Sequence, residues 1–170
     1  MKRALSAASV LFLCVWLAGC GGDQHNELVN ASLNLLDNAA SELGAVKTKV
    51  KDAIKAHQEG KDKQPPVPFD LKEADKVLVN LKQTGEQAQK IKQRIDYVLS
   101  ATPITDEARV ESAKKHGEKV NGIYKRLRDE GRDLNEVLLQ AEAIDKDKVD
   151  DLRKKMVEAL GPFESLGRQN

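Results

Sequence analysis

Three histidines, two cysteines and 27 acidic residues are the groups in this sequence that could do chemistry. A zinc site needs convergent ligands, and a di-iron bundle needs Glu-x-x-His repeats on facing helices. His25, His57 and His116 form no H-x-x-x-H or E-x-x-H pair. All three are expected at the surface: His25 in a tether, His57 near a helix end and His116 mid-helix. A bundle haem needs an axial His or a His–Met pair, and Met156 is the only methionine beyond Met1. Carboxylates alternate with lysines, the pattern of a solvated helix face, whereas a glycosidase needs two acids in a cleft. No G-x-S-x-G elbow, Walker loop or dinucleotide fingerprint occurs. The expectation is no catalytic residue, no metal site, no cofactor and a non-enzymatic role.

Both cysteines, Cys14 and Cys20, lie in the first twenty residues. Lys2 and Arg3 precede an apolar run from Ala4 to Leu17. That run has signal-peptide length and falls short of the ~20 residues that span a bilayer as a helix. Leu17-Ala18-Gly19-Cys20 resembles the lipobox of bacterial lipoprotein precursors, a resemblance confined to residues 1–20. It implies that Cys20 receives a diacylglyceryl group on sulfur and that residues 1–19 are then removed. The new amino group would often take a further, palmitate-type acyl chain. Each buried methylene contributes about 0.8 kcal/mol, so two or three chains hold a protein firmly where one does not. The partner implied is a membrane, reached through a lipid anchor. Gly21, rather than Asp, implies the periplasmic face of the outer membrane in a Gram-negative cell. With Cys14 removed and Cys20 acylated, no disulfide or free thiol is expected. Residues 20–25 read as the lipidated cysteine and a short tether, reaching at most ~17 Å at about 3.4 Å per residue.

Of 170 residues, 19 belong to the expected signal, which leaves 151, the size of one domain. Charged residues make up 32% and aromatics 4%, which favours long helices, and 40% apolar residues suffice for a core. Without Lys2 and Arg3 the basic count falls from 28 to 26, against 27 acids. A nucleic-acid binder carries a basic excess, so no nucleic-acid partner is expected.

Heptad spacing predicts a helix over about 26–59, with a seam through Val29, Leu33, Leu36, Ala40, Leu43, Lys47, Val50 and Ile54. Residues 60–69 hold three prolines and read as a linker. A second helix is predicted over about 71–99, with Asp70 and Glu73 as a capping box and Phe69 and Ala74 as a weak staple. A third is predicted over about 106–143, capped by Thr105, with a seam through Ala113, Gly117, Val120, Tyr124, Leu127, Gly131, Leu134, Leu138 and Ala141. A short fourth covers about 149–160 and stops at Gly161-Pro162, with 161–170 as a loose tail. The domain, residues 26–160, is expected to be all-α: an elongated antiparallel three-helix bundle or coiled coil with a short fourth C-terminal helix. Gly85, Gly117 and Gly131 fall on seam positions and suggest close helix approach, opposite Tyr97 or Tyr124. The competing reading is a soft seam that opens.

The leading functional expectation is a lipid-anchored envelope protein, a helical spacer or docking surface for another envelope protein. The alternative is a small-molecule or lipid-binding bundle whose glycine-lined seam opens as a pocket. The polar Lys47 and Lys92 interrupt a continuous sticky seam, so the reading inclines to a monomer. A heptad-bearing lipoprotein is similar in outline to the murein lipoprotein family, which links to peptidoglycan through a C-terminal lysine. This chain ends Arg168-Gln169-Asn170 and its helices are broken by prolines, so that activity is not carried over.

Overall fold

A computed structural model describes residues 21–101 and 104–167. Cys20 and the expected signal lie outside the described residues. Four helices carry the chain: α1 (Gly21–Glu59), α2 (Lys72–Ala101), α3 (Asp106–Glu142) and α4 (Lys146–Gly167). No strand occurs among the described residues, so the protein is an all-α helical bundle. At ~1.5 Å per residue, the 39 residues of α1 make a rod of ~58 Å.

The helix starts follow local chemistry. The Thr105 hydroxyl accepts from the Ala108 N–H at 3.4 Å, and Asp106 and Glu107 complement the dipole of α3. The Asp70 carboxylate accepts from the Lys72 N–H at 3.0 Å. The reciprocal arm of the expected capping box is not made, because Glu73 pairs with Lys76 instead. At the end of α1 the Gly60 N–H donates to the Ala56 carbonyl at 3.0 Å. The Val67 N–H then returns to the Gly60 carbonyl at 3.2 Å, folding the proline-rich segment back on the helix end. That segment is therefore more than a linker. Phe69 is buried, with the His57 ring edge-on to it, and its carbonyl accepts from Lys148 Nζ at 2.8 Å.

Two expected boundaries are corrected. Residues 21–25 are helical rather than an extended tether, because α1 runs from Gly21 with no proline to break it. Residues 161–167 are helical rather than loose, because α4 passes through Pro162. Proline there removes the N–H that would bond the Glu158 carbonyl. The compensation is contact: Pro162 and Phe163 lie directly on Gly85 of α2. A Cβ at Gly85 would stand 2.9 Å from both Pro162 Cβ and Phe163 Cε2. Gly85 thus marks a close helix approach, but opposite α4 rather than a tyrosine. Gly117 and Gly131 have open space where a Cβ would be, and Tyr97 and Tyr124 are exposed.

The helices form a ring in the order α1, α2, α4, α3, so α2 and α3 stand across one diagonal and α1 and α4 across the other. Paired residues on α1 and α3 keep a near-constant offset in sequence. Asn34 meets Lys119 at 2.9 Å, Asp37 meets Arg126 at 2.7 Å, and Lys47 meets Glu130 at 2.7 Å. These neighbours therefore run parallel. The same holds for α2 and α4, where Asp75 meets Lys155 at 2.9 Å and Gly85 meets Phe163. Of the two places expected for the fourth helix, capping one end or filling the fourth corner, α4 takes the corner, making a four-helix ring over part of the length with two parallel neighbour pairs. Lys47, a polar interruption of the predicted seam, is 18% exposed and lies between Glu130 and Asp133.

The main core draws on all four helices and on Phe69, and includes Val46, Val50, Leu78, Leu81, Leu134, Leu138, Val149 and Leu152. A smaller cluster of Leu33, Leu36 and Ile123 adjoins it, with Phe163 packed against both. Each fully buried aliphatic side chain contributes about 1.5–3 kcal/mol. The molecule is accordingly thickest where the four helices overlap.

Candidate functional site

The 22-residue α4 covers only part of α2 and α3. In the register set by Asp75–Lys155 and Gly85–Phe163, it ends beside the middle of α2. Beyond it, the N-terminal part of α1, the C-terminal part of α2 and the N-terminal part of α3 enclose a groove of about 690 Å³. None of the residues described as lining it belongs to α4. Ligand pockets typically run from about 300 to 1,000 Å³.

Each wall brings a different chemistry. Val29, Leu99 and Val120, one from each helix, supply an apolar lining. Gly117 widens the space, since nothing lies within 4 Å of where its Cβ would stand. His25 comes from α1, Asp96 from α2, and Arg109, Ser112 and His116 from α3. Asp96 is held by Lys92 at 3.2 Å on its own helix. Arg109 has no ion-pair partner among the described residues.

His116 is 5% exposed, and its Nε2 has no hydrogen-bond partner among the described residues. A buried polar atom left unpaired costs roughly 1–3 kcal/mol. Burial pushes the His116 pKa down, helped by the Lys115 and Lys119 charges. His25 is also pushed down, by burial first and then by Arg109 and His116. The last two causes put Arg109 and His116 within electrostatic reach of His25.

The expectation that His116 is a surface residue is therefore corrected. The predicted α3 seam used a strict seven-residue repeat, which drifts about 20° per heptad from a straight helix. Three heptads back from Leu134 and Leu138 the drift is about 60°. It moved the predicted row to Ala113 and Gly117, while α3 buries Ser112, His116 and Ile123. The missed signal was present: His116 lies five full turns of 3.6 residues before Leu134. His57 is half-buried, with its Nδ1 3.0 Å from the Val67 carbonyl.

A smaller cleft of about 350 Å³ at the other end is lined by charged residues such as Asp70, Lys72, Asp75 and Lys148. Those charges already pair among themselves or with α4 neighbours. No group of three potential metal ligands occurs among the described residues. No described helix is long and apolar enough to cross a membrane. The predicted lipidation residue, Cys20, lies outside the described residues, one peptide bond before the start of α1. Comparison of the chain with protein-family models, curated proteins and solved structures finds no match.

Proposed function

We propose that this chain is a non-enzymatic lipoprotein of the bacterial cell envelope, held to a bilayer by acyl chains on Cys20, which binds a small molecule or lipid in the groove at its anchored end. The observation that carries the reading is the position of the groove. His25, on its wall, is five residues from Cys20, so the opening lies within ~17 Å of the acylated sulfur's backbone even with the intervening chain fully extended. With α1 helical from Gly21, the distance along the axis shrinks to ~8 Å. A ligand leaving or entering the membrane would meet this opening first. In a Gram-negative cell, Gly21 favours the periplasmic face of the outer membrane.

Metabolic labelling with radioactive palmitate tests the anchor. The parent should take up label and fractionate with membranes. Cys20→Ser should lose the label, stay uncleaved, and change its membrane behaviour. Equal labelling of the two forms would overturn the anchored reading.

A second reading, a spacer or docking body for another envelope protein, is favoured by the long α1 and α3 and the polar contacts that tie them together. Inter-helix polar contacts at Asn34, Asp37 and Lys47 span ~20 Å, about a third of the ~58 Å rod. In-cell crosslinking from α3 surface positions tests it, and recovery of no discrete crosslinked species would count against it.

A further inference from the structure

The groove combines two features that an empty structural gap does not need. Its apolar lining draws on all three helices through Val29, Leu99 and Val120. Its polar members are dominated by groups that donate to anions: the Arg109 guanidinium, which has no ion-pair partner among the described residues, and the two imidazoles of His25 and His116. The single acid, Asp96, is already engaged by Lys92. The buried and unpartnered His116 Nε2 is an independent observation, because a buried polar atom of a native protein is normally satisfied by protein, water or ligand. A stripe of hydrocarbon-binding surface beside a cluster of anion donors matches one ligand chemistry.

We propose that the groove takes an amphiphile with a single anionic head, carboxylate or phosphate, the head held by Arg109, His116 and His25 and the acyl chain laid over Val29, Leu99 and Val120. This rests on the ligand-binding reading above and names its ligand class. Arg109 offers a bidentate fork to either head group. His116, on the groove wall, brings an imidazole nitrogen that has no partner among the described residues. Gly117 leaves room for the chain where any larger side chain would protrude.

The test uses the chain from Gly21 onward, which contains all four helices and both core clusters. Calorimetric titration compares five probes below their micelle concentrations: dodecanoate, dodecyl phosphate, dodecyl maltoside, dodecyltrimethylammonium and inorganic phosphate. The two anionic amphiphiles should bind at least about tenfold tighter than the neutral and cationic ones, the worth of one charge-assisted hydrogen bond. Inorganic phosphate alone should bind weakest, because it gains nothing from the apolar strip. Arg109→Gln, at an exposed position, should remove about tenfold of the anion preference and leave the circular dichroism melt unchanged. Gly117→Leu should block all amphiphiles while the helical signal persists.

Equal binding of neutral and anionic amphiphiles overturns the anionic-head inference and leaves the ligand-binding reading standing. Inorganic phosphate binding as tightly as dodecyl phosphate overturns the amphiphile and identifies a free anion as the source. Binding of no probe overturns both this inference and the ligand-binding reading.

Discussion

His116 carries a stability consequence as well as a binding one. Its folded pKa is held below the ordinary histidine value of 6.5, chiefly by burial, and His25 is shifted the same way. Between 6.5 and the lowered values, the unfolded chain binds more protons than the folded one, so stability rises with pH there. The protein should therefore lose stability as pH falls through 6.5, and the loss should level off once both states are protonated. Urea midpoints measured from pH 8 to pH 5 check this. His116→Leu should flatten the fall, since it removes one titrating group from the groove wall; an equal fall in the two proteins would show that His116 is not responsible. The glycines separate by contact. Gly85→Ala should destabilise by about 1–3 kcal/mol, because the new methyl meets a proline ring that cannot retreat. Gly131→Ala, facing open space, should stabilise by about 0.5–1 kcal/mol through helix propensity alone. Sequence marked these glycines as a set, since each sits on the heptad seam of its own helix. Only the neighbour opposite each one distinguishes a packing requirement from a tolerated weakness.

At the scale of elements, the helices are legible because their signals are local. Thr105 before an acidic turn, and Gly60 followed by three prolines, announce boundaries through backbone hydrogen bonding alone. The exceptions are where tertiary contact overrides a local rule. Pro162 would end an isolated helix, yet α4 continues because Pro162 and Phe163 bury themselves on α2. Phe163→Ala should cost about 1–3 kcal/mol by half-exposing both clusters it bridges. Chemical denaturation should show that cost, together with fraying of α4 beyond Leu160 in hydrogen exchange. The parallel pairing of α1 with α3 rests partly on Lys47, whose amine lies 2.7 Å from Glu130 and 3.3 Å from Asp133. A double-mutant cycle on Lys47 and Glu130 should return a coupling of about 0.5–1 kcal/mol, larger than for the exposed Lys55–Glu59 pair.

Across the whole molecule, stability is distributed unevenly along the rod. The main cluster ties four helices together at the end closed by Phe69, whereas three helices surround the groove at the other. Local opening follows buried apolar contact, so amides of residues 24–32 and 108–119 should exchange faster than those of 43–54 and 134–141. Hydrogen exchange read by mass spectrometry checks the gradient, and uniform protection would contradict it. A bound amphiphile should protect the groove end selectively, because it would supply the contacts that a longer α4 would otherwise make.

The sequence by itself determined the helices and most of their ends, since periodicity and caps depend on neighbours a few residues away. It also defined the lipobox resemblance at Cys20, on which the anchored reading rests. Tertiary structure decided the ring order, the parallel pairing of α1 with α3, and the reach of α4. Those depend on residues some 80 positions apart, and no local pattern encodes which helix lies across a diagonal. The groove is a product of the same decision. It exists because one helix is shorter than the three it packs among, and that difference acquires a location only when the register of Gly85 against Phe163 is set.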